Sequence, residues 1–436
     1  MAPQPNPSGI EQELRAHRFP GLDLPEAFVL PHFPRYSLLN LANTVLDALG
    51  VPPLHPPLPE GLLPRKREVQ AVVLLLVDAL GYRQLMRFLE RSPGPGEGSE
   101  MEMKAECWVP LTSVFPSTTA VTLATLHTAL PPREHGLVGY RLFLREVGLI
   151  ANVLRLKPAA DPEGDRLLKM GLSPRRLLGV PTIHERLHAQ GVRSYVLIPK
   201  AYVRSGLSRM LSPTDRAGTT LVPFYTAADM AVRVREILAS LEAGQRAFLF
   251  AYWDALDSIA HEQGPESPAW DAELRSLLRT LDRELLGALA PSTRDRTLLL
   301  ITADHGQIRV LPKEKVVHLK RYPSLVRKLR FSPTGEYRAA YLYAKPGALR
   351  ELEEDLKERF AEELAVLRSE EALEAELFGP CPSPHGEHPE VRERLGDLIV
   401  IPKGAQALYW PYDDFDLVGR HGGLTDEEML VPFLAV

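Results

Sequence analysis

Aspartate, histidine or both recur in short motifs at four places along this chain. They are Asp78 in "VDALG", Asp254, Asp257 and His261 in "YWDALDSIAH", Asp304 and His305 in "ADHG", and His421 in "GRHGG". Carboxylates gathered at one place repel one another strongly, and a divalent cation is the natural remedy. Asp257 and His261 are four residues apart, so on a helical turn they share a face and can grip one ion. Asp254 is seven residues from His261 and could share that face. Asp304 and His305 are adjacent, in a turn where side chains diverge toward neighbouring sites. Two glycines follow His421 and let the backbone come close to a ligand. Mixed Asp and His ligation suits zinc first and manganese second. A fifth stretch, "FPSTTAVTLATLHTALPPREHG" (residues 115–136), sets Thr118 and Thr119 side by side where a helical pattern begins. One threonine there reads as a cap, because its hydroxyl can satisfy a free backbone N–H. A second is available as a nucleophile.

Each of these residues alone has an ordinary structural role. Asp78 alone is a turn or cap aspartate, "ADHG" a common turn, Asp257 with His261 a helix-surface pair, and His421 a loop histidine. What lifts them above that reading is their order at successive strand ends. The run "AVVLLLV" (residues 71–77) is continuously apolar, as strands buried on both faces are. Similar runs are "YVLI" (195–198), "AFLFAYW" (247–253), "TLLLIT" (297–302) and "LIVI" (398–401). Helical patterns lie between them, and alternating strand and helix predicts an α/β fold with a doubly wound, mostly parallel sheet flanked by helices. Ligands of such sheets bind beyond the carboxyl ends of the strands, where Asp78, Asp254 and Asp304 each follow a run.

The texture divides the chain into a proline-rich N-terminal extension (1–66), a catalytic core (67–310), a cap-like insertion (311–405) and a return to the core (406–436). Within the insertion, "GALRELEEDLKERFAEELAVL" (347–367) predicts one charged amphipathic helix with a solvated outer face.

The five motifs, in this order, resemble the alkaline phosphatase superfamily, specifically its type I phosphodiesterase/nucleotide pyrophosphatase branch. "VDALG" looks like that family's first metal aspartate, and "FPSTT" followed by "TALPPREHG" like its nucleophile block. "YWDALDSIAH" is similar to "Y-x-D-x-x-D-x-x-GH", "ADHG" to its metal pair, and "HGG…M" to its late metal histidine. The resemblance implies an alkaline-phosphatase-like fold with two divalent metal sites. One would use Asp257, His261 and His421, with Asp257 preferred over Asp254; the other Asp78, Asp304 and His305. It implies Thr119 as nucleophile, through a phosphothreonine intermediate, acting on a small phosphate ester such as a nucleotide. Helical spacing agrees, since Thr119 leads the stripe Leu123, Leu126, Leu130, which should face the sheet. Thr118 leads Thr122 and Thr125 on a more polar face and suits a cap. The alternatives are a phosphomonoesterase or phosphonate hydrolase on the same scaffold, or an inactive nucleotide-binding scaffold. A sulfatase is disfavoured, because the region lacks "C/S-x-P-x-R".

The chain departs from the family where an asparagine is usual. Tyr140 stands there, with Arg141 beside it, and either can contact substrate. Ala129 and Ala260 replace family glycines. His127, His135, Lys200, Arg204, His318, His385 and His388 are assigned no chemistry.

Bulk composition bounds the partners. Of 436 residues, 45% are hydrophobic and 25% charged, ordinary for a soluble globular protein. A net charge of −5 predicts no general attraction to nucleic acid or anionic membrane. No apolar run reaches about 18 residues, so no membrane span is expected. Cys107 and Cys381 are expected as buried free thiols in a reducing compartment. With no basic and apolar leader at the N-terminus, this reads as cytoplasmic.

Overall fold

Four of the five apolar runs become strands of a seven-stranded main sheet. Its strands are β1 (Ala71–Val77), β2 (Val109–Thr112), β3 (Val192–Pro199), β4 (Thr219–Phe224), β5 (Arg246–Trp253), β6 (Thr297–Thr302) and β7 (Leu430–Ala435), in the order β2-β7-β6-β1-β5-β3-β4. The computed structural model describes residues 6–64, 66, 68–91, 108–214, 218–380, 385–410 and 417–436. Cys107 and Cys381, expected as buried thiols, lie outside the described residues. Strand β1 pairs parallel with β5 and β6, and β3 pairs parallel with β4 and β5. Only β7 runs antiparallel to its neighbours β2 and β6. The fold is therefore α/β, with a mostly parallel sheet flanked by helices, as the alternation predicts. Every residue of β1 is buried, which is why its sequence shows no polar alternation.

Register matters most at the carboxyl edge. Val77 pairs with Trp253, and Leu76 with Thr302. The three strands thus end level, and the residues that follow them emerge side by side.

A second, antiparallel sheet draws on two parts of the chain. It joins Leu364–Arg368, Leu398–Pro402, Ala340–Leu342, Thr334–Gly335, Arg141–Leu144, Leu149–Asn152 and Lys157–Pro158. The run "LIVI" belongs here and not to the main sheet. It reads as continuously apolar because its alternate residues enter two cores: Ile399 and Ile401 join the main core, Leu398 and Val400 a smaller one. The charged segment 347–367 is not one helix. Its helix, Leu349–Arg359, buries Leu352, Glu353 and Leu356, and the chain then turns into the strand Leu364–Arg368. Pairing along "LIVI" outweighs the local helical pattern there.

Residues 6–64 are built into the core. The helix Leu38–Ala48 packs on the helix Thr119–Thr128 and is buried through Leu46. Asn43 ties the two, donating to the Ala129 carbonyl at 3.1 Å and accepting from the N–H groups of Leu54 and His55. No helix among the described residues is long and apolar enough to cross a membrane.

A buried ion pair joins the second sheet to the loop that carries His421. Arg338 donates twice to Glu428, at 2.9 and 2.7 Å, and both side chains are fully buried. Glu428 also accepts from the Thr425 hydroxyl and the Gly423 N–H. Removing one member of such a pair strands the other charge. Arg338→Met should therefore cost about 3–5 kcal/mol, read as a lowered denaturation midpoint in urea.

Candidate metal and nucleophile site

Asp78 and Asp304 leave the ends of β1 and β6 and converge on His305. Each carboxylate has one oxygen satisfied by the protein. Tyr252 donates to Asp78 Oδ2, and the N–H groups of Ala79 and His305 donate to Asp304 Oδ1 at 3.1 and 2.9 Å. The other oxygens, Asp78 Oδ1 and Asp304 Oδ2, are buried without a hydrogen-bond partner. They lie 3.6 and 3.4 Å from His305 Nε2. Donor atoms set tetrahedrally about 2.0–2.1 Å from an ion stand about 3.3–3.4 Å apart. Three buried donors at these separations, two of them otherwise orphaned, fit a single cation.

The second group forms where β5 passes into the helix Ala255–Gln263. Asp257 and His261 share a face of that helix, with Asp257 Oδ1 3.3 Å from His261 Nε2 and 3.9 Å from His421 Nε2. The donor atoms of Asp257, His261 and His421 lie within 4.8 Å of one another, as do those of Asp78, Asp304 and His305. Asp254 joins neither group; it accepts from the Tyr202 hydroxyl at 2.6 Å. The helix approaches the His421 loop closely, and a Cβ at Gly419 would meet the Ala260 carbonyl at 2.3 Å. The glycines after His421 make room for protein: a Cβ at Gly422 would press on Glu336 at 3.0 Å, and one at Gly423 on Glu428 at 2.8 Å.

All three histidines are oriented alike. Nδ1 of His261 faces the Gly419 carbonyl at 2.9 Å, that of His305 the Gly306 carbonyl at 3.0 Å, and that of His421 the Ser117 carbonyl at 3.2 Å. A carbonyl only accepts, so each Nδ1 carries the proton, and a neutral ring then presents its Nε2 lone pair to the site. The rings of His305 and His421 stack at 3.8 Å, which sets the two groups side by side.

Electrostatics match the donor set. Burial, then the charge of Asp304, pushes Asp78 well above the usual carboxylate range. Burial pushes Asp304 up to about 6. Burial holds His305 down to about 4 and His421 to about 3, so both are neutral donors near pH 7. Burial also acts on Asp257, but the neighbouring His261, with His421 and His305 behind it, outweighs that and holds the carboxyl below its ordinary value.

Thr118 and Thr119 part company here. Thr119 is the first residue of its helix, and its Oγ1 lies 3.1 Å from His305 Nε2. Thr118 occupies the cap position with extended backbone, yet its hydroxyl makes no cap bond. It donates instead to Glu336 Oε1 at 3.0 Å, which also accepts the Tyr140 N–H at 2.8 Å. The helix is buried on every side, its more polar threonine face included. Thr122 and Thr125 bond to the Asp304 carbonyl and to His135.

A cavity of about 620 Å³ opens over both groups. Asp78, Thr118, Thr119, Tyr140, Arg141, Asp257, His261 and His421 line it, with Glu336, Tyr337 and Arg420 in the same wall. Asp304 and His305 stand behind this lining. The Tyr140 hydroxyl bonds to Asn152. His127 pairs with His184 at 2.8 Å and is held by burial well below its ordinary value, as a core histidine would be. Sequence reasoning missed Glu336, Tyr252, Gln307 and Arg420. Tyr252 and Arg420 lie inside quoted motifs and Gln307 adjoins one, and Gln307 donates to Asp257. Glu336 has no local signal, because it lies more than 200 residues from its partner Thr118.

A model of the "Type I phosphodiesterase / nucleotide pyrophosphatase" family matches residues 72–424 of this chain. The chain belongs to that family. No curated protein matches it by sequence. Among solved structures, murine ectonucleotide pyrophosphatase/phosphodiesterase 5 is 18% identical, with a TM-score of 0.55 over 85% of this chain and 88% of that one. A structure of the murine protein with AMP, in a threonine-to-alanine form described as inactive, is 19% identical, with a TM-score of 0.54 over 84% of this chain and 87% of that one. Phosphonoacetate hydrolase from Sinorhizobium meliloti 1021, in complex with phosphonoacetate, is 18% identical, with a TM-score of 0.58 over 86% and 91%. At these identities the likeness is one of fold, an alkaline-phosphatase-like α/β architecture within the family.

The raised carboxyls make a pH prediction for chelator-treated protein. Asp304 binds its proton more tightly folded, at about 6, than at the ordinary 3.8. Its contribution therefore favours folding at low pH and is lost as pH rises through about 6. His305 and His421 run the opposite way, so the effect is read by difference. Without metal, the melting temperature of Asp304→Asn should gain on wild type between pH 5 and 7. Added zinc should reverse that order, and a constant difference across this range would refute the assignment.

Proposed function

We propose that this protein is a metal-dependent hydrolase of phosphodiester or nucleotide pyrophosphate bonds, with Thr119 as nucleophile. The observation that carries the reading is the Thr119 hydroxyl beside His305 Nε2, at the junction of two groups of donors suited to divalent ions. We assign Asp78, Asp304 and His305 to one ion and Asp257, His261 and His421 to the other. Zinc suits this mixture of nitrogen and carboxylate donors, with manganese second. When bound, such a pair lowers the pKa of the hydroxyl and stabilises the attacking and leaving oxygens of an in-line displacement.

The chain's own groups do the rest. Tyr252, Gln307 and the backbone carbonyls behind the histidines fix the donors before substrate arrives. The positive end of the helix Thr119–Thr128 faces the phosphoryl oxygens. Thr119 Oγ1 forms a bond to phosphorus as the bond to the leaving oxygen breaks, and the departing group takes a proton. Water then attacks the phosphothreonine, its oxygen stays on the phosphate, and the Thr119 hydroxyl is restored. The inactivity described for a threonine-to-alanine form of the murine relative supports this role for threonine. The substrate would be a small phosphate ester, as AMP binding by that relative suggests, with Tyr140 and Arg141 in the binding wall.

The likeness to phosphonoacetate hydrolase favours a second reading, cleavage of a phosphonate or monoester at the same centre. Turnover of bis-p-nitrophenyl phosphate and of p-nitrophenyl phosphate, with and without chelator, separates the two. Preference for the diester supports the first reading and preference for the monoester the second. No chelator-sensitive turnover of either, with zinc or manganese supplied, would leave an inactive scaffold. Elemental analysis should find about two divalent ions per chain. Thr119→Ala should lower turnover by at least about 10³-fold while metal content is retained. Thr118→Ala should mainly cost stability, about 1 kcal/mol. A dead Thr118 variant beside an active Thr119 variant would move the nucleophile by one residue.

A further inference from the structure

The cavity runs deeper than the two donor groups require. Thr119, Leu123 and His127 all line it, one stripe of a single helix in four-residue steps. At about 1.5 Å per residue, that stripe carries the lining about 12 Å along the helix axis, from Thr119 to His127. The main sheet faces it: Val196 on β3 stands opposite Phe250 on β5 in the strand register, and both enter the same space. The short helix Gly206–Leu211 packs against Thr119–Thr128 and closes the flank with Leu207 and Leu211. His127 closes the inner end. Its ring lies 4.3 Å from that of Phe250, it donates to the Leu211 carbonyl, and burial holds it well below its ordinary value, so it is neutral near pH 7. Leu123, Val196, Leu207, Leu211 and Phe250 thus wall an inner slot, to which Ser208 and Ser212 add only hydroxyls. The charged members of the lining stand elsewhere. They gather at the donor edge and the Glu336 wall, or are exposed, as Arg155 and Arg204 are, and Asp165 is taken up by the Gly206 N–H at 2.9 Å. Hydrocarbon gains from burial in such a slot, whereas a sugar would leave hydroxyls there short of partners.

We propose that this slot holds an extended aliphatic substituent of the substrate, with the phosphorus at Thr119 and the far end of the chain against His127. The inference rests on the hydrolase reading for the position of that phosphorus. It adds the class of substrate: a phosphoryl or phosphonyl compound with an alkyl chain, in preference to a nucleotide. Helical spacing alone sets Leu123 against the sheet; the gap between them exists only in the fold.

Calorimetry on the metal-loaded full chain tests this without turnover, using methyl-, butyl-, octyl- and dodecylphosphonate. Octylphosphonate should bind at least about 50-fold tighter than methylphosphonate, the gain expected for burying about three methylenes. The gain should level off at dodecyl, because His127 and Leu211 close the slot. Leu207→Trp should fill it and remove most of the octyl advantage. Should that variant melt well below wild type, Leu123→Gln is put through the same comparison. AMP, measured in Thr119→Ala, should gain less over methylphosphonate than octylphosphonate does; a larger gain would give the slot to a nucleoside and overturn the proposal. Equal affinities for methyl- and octylphosphonate in wild type, or a full octyl advantage in a folded Leu207→Trp protein, would overturn it as well. An intact octyl advantage in a protein that never turns over bis-p-nitrophenyl phosphate would remove the hydrolase and leave the slot.

Discussion

Three carboxylates crowd one edge of the main sheet, and the rest of the structure answers that crowding. Asp78, Asp257 and Asp304 are close enough to shift one another's proton affinity, and burial denies them the water that would screen them. The protein meets only part of the demand. Tyr252, Gln307 and two backbone N–H groups satisfy one side of the carboxylates, while Asp78 Oδ1 and Asp304 Oδ2 remain turned toward histidine lone pairs. An interior that stops short of neutralising its own charges is arranged for something positive to complete it.

That arrangement needs level strand ends. Parallel pairing of β1 with β5 and β6 brings residues more than 200 positions apart into one row. It also explains why Asp78 and Asp304 follow their strands so closely, since a longer loop would lose the register. The helix Thr119–Thr128 is then pressed onto the same edge by the N-terminal helix Leu38–Ala48, which turns an apparent lead-in into a structural layer.

The second sheet supplies the opposite wall. Its loop delivers Glu336, Tyr337 and Arg338: the first to Thr118, the second to the arginines, the third to Glu428 behind His421. One short turn therefore touches the threonine pair, the cavity wall and a metal-donor loop. The space left by Gly422 is what lets that turn approach.

Sequence alone determined four strands of the main sheet, because residues buried on both faces must be apolar throughout. It also determined the candidate donors, because chemistry limits them to a few residue types at a few spacings. Asp257 with His261 was legible for that reason, their four-residue spacing being local to one helix. The resemblance of five ordered motifs extended this to two donor groups, and the structure brings the same residues together. Tertiary structure decided what local pattern could not. "LIVI" looks like a parallel core strand until two separate cores claim its alternate faces. The end of the 347–367 helical pattern becomes a strand because a partner strand is there to pair with it. Thr118 looks like a cap until Glu336 arrives to take its hydroxyl. Glu336, Tyr337 and Arg420 carry no spacing signal at all, since contacts between distant segments form only once the chain has folded.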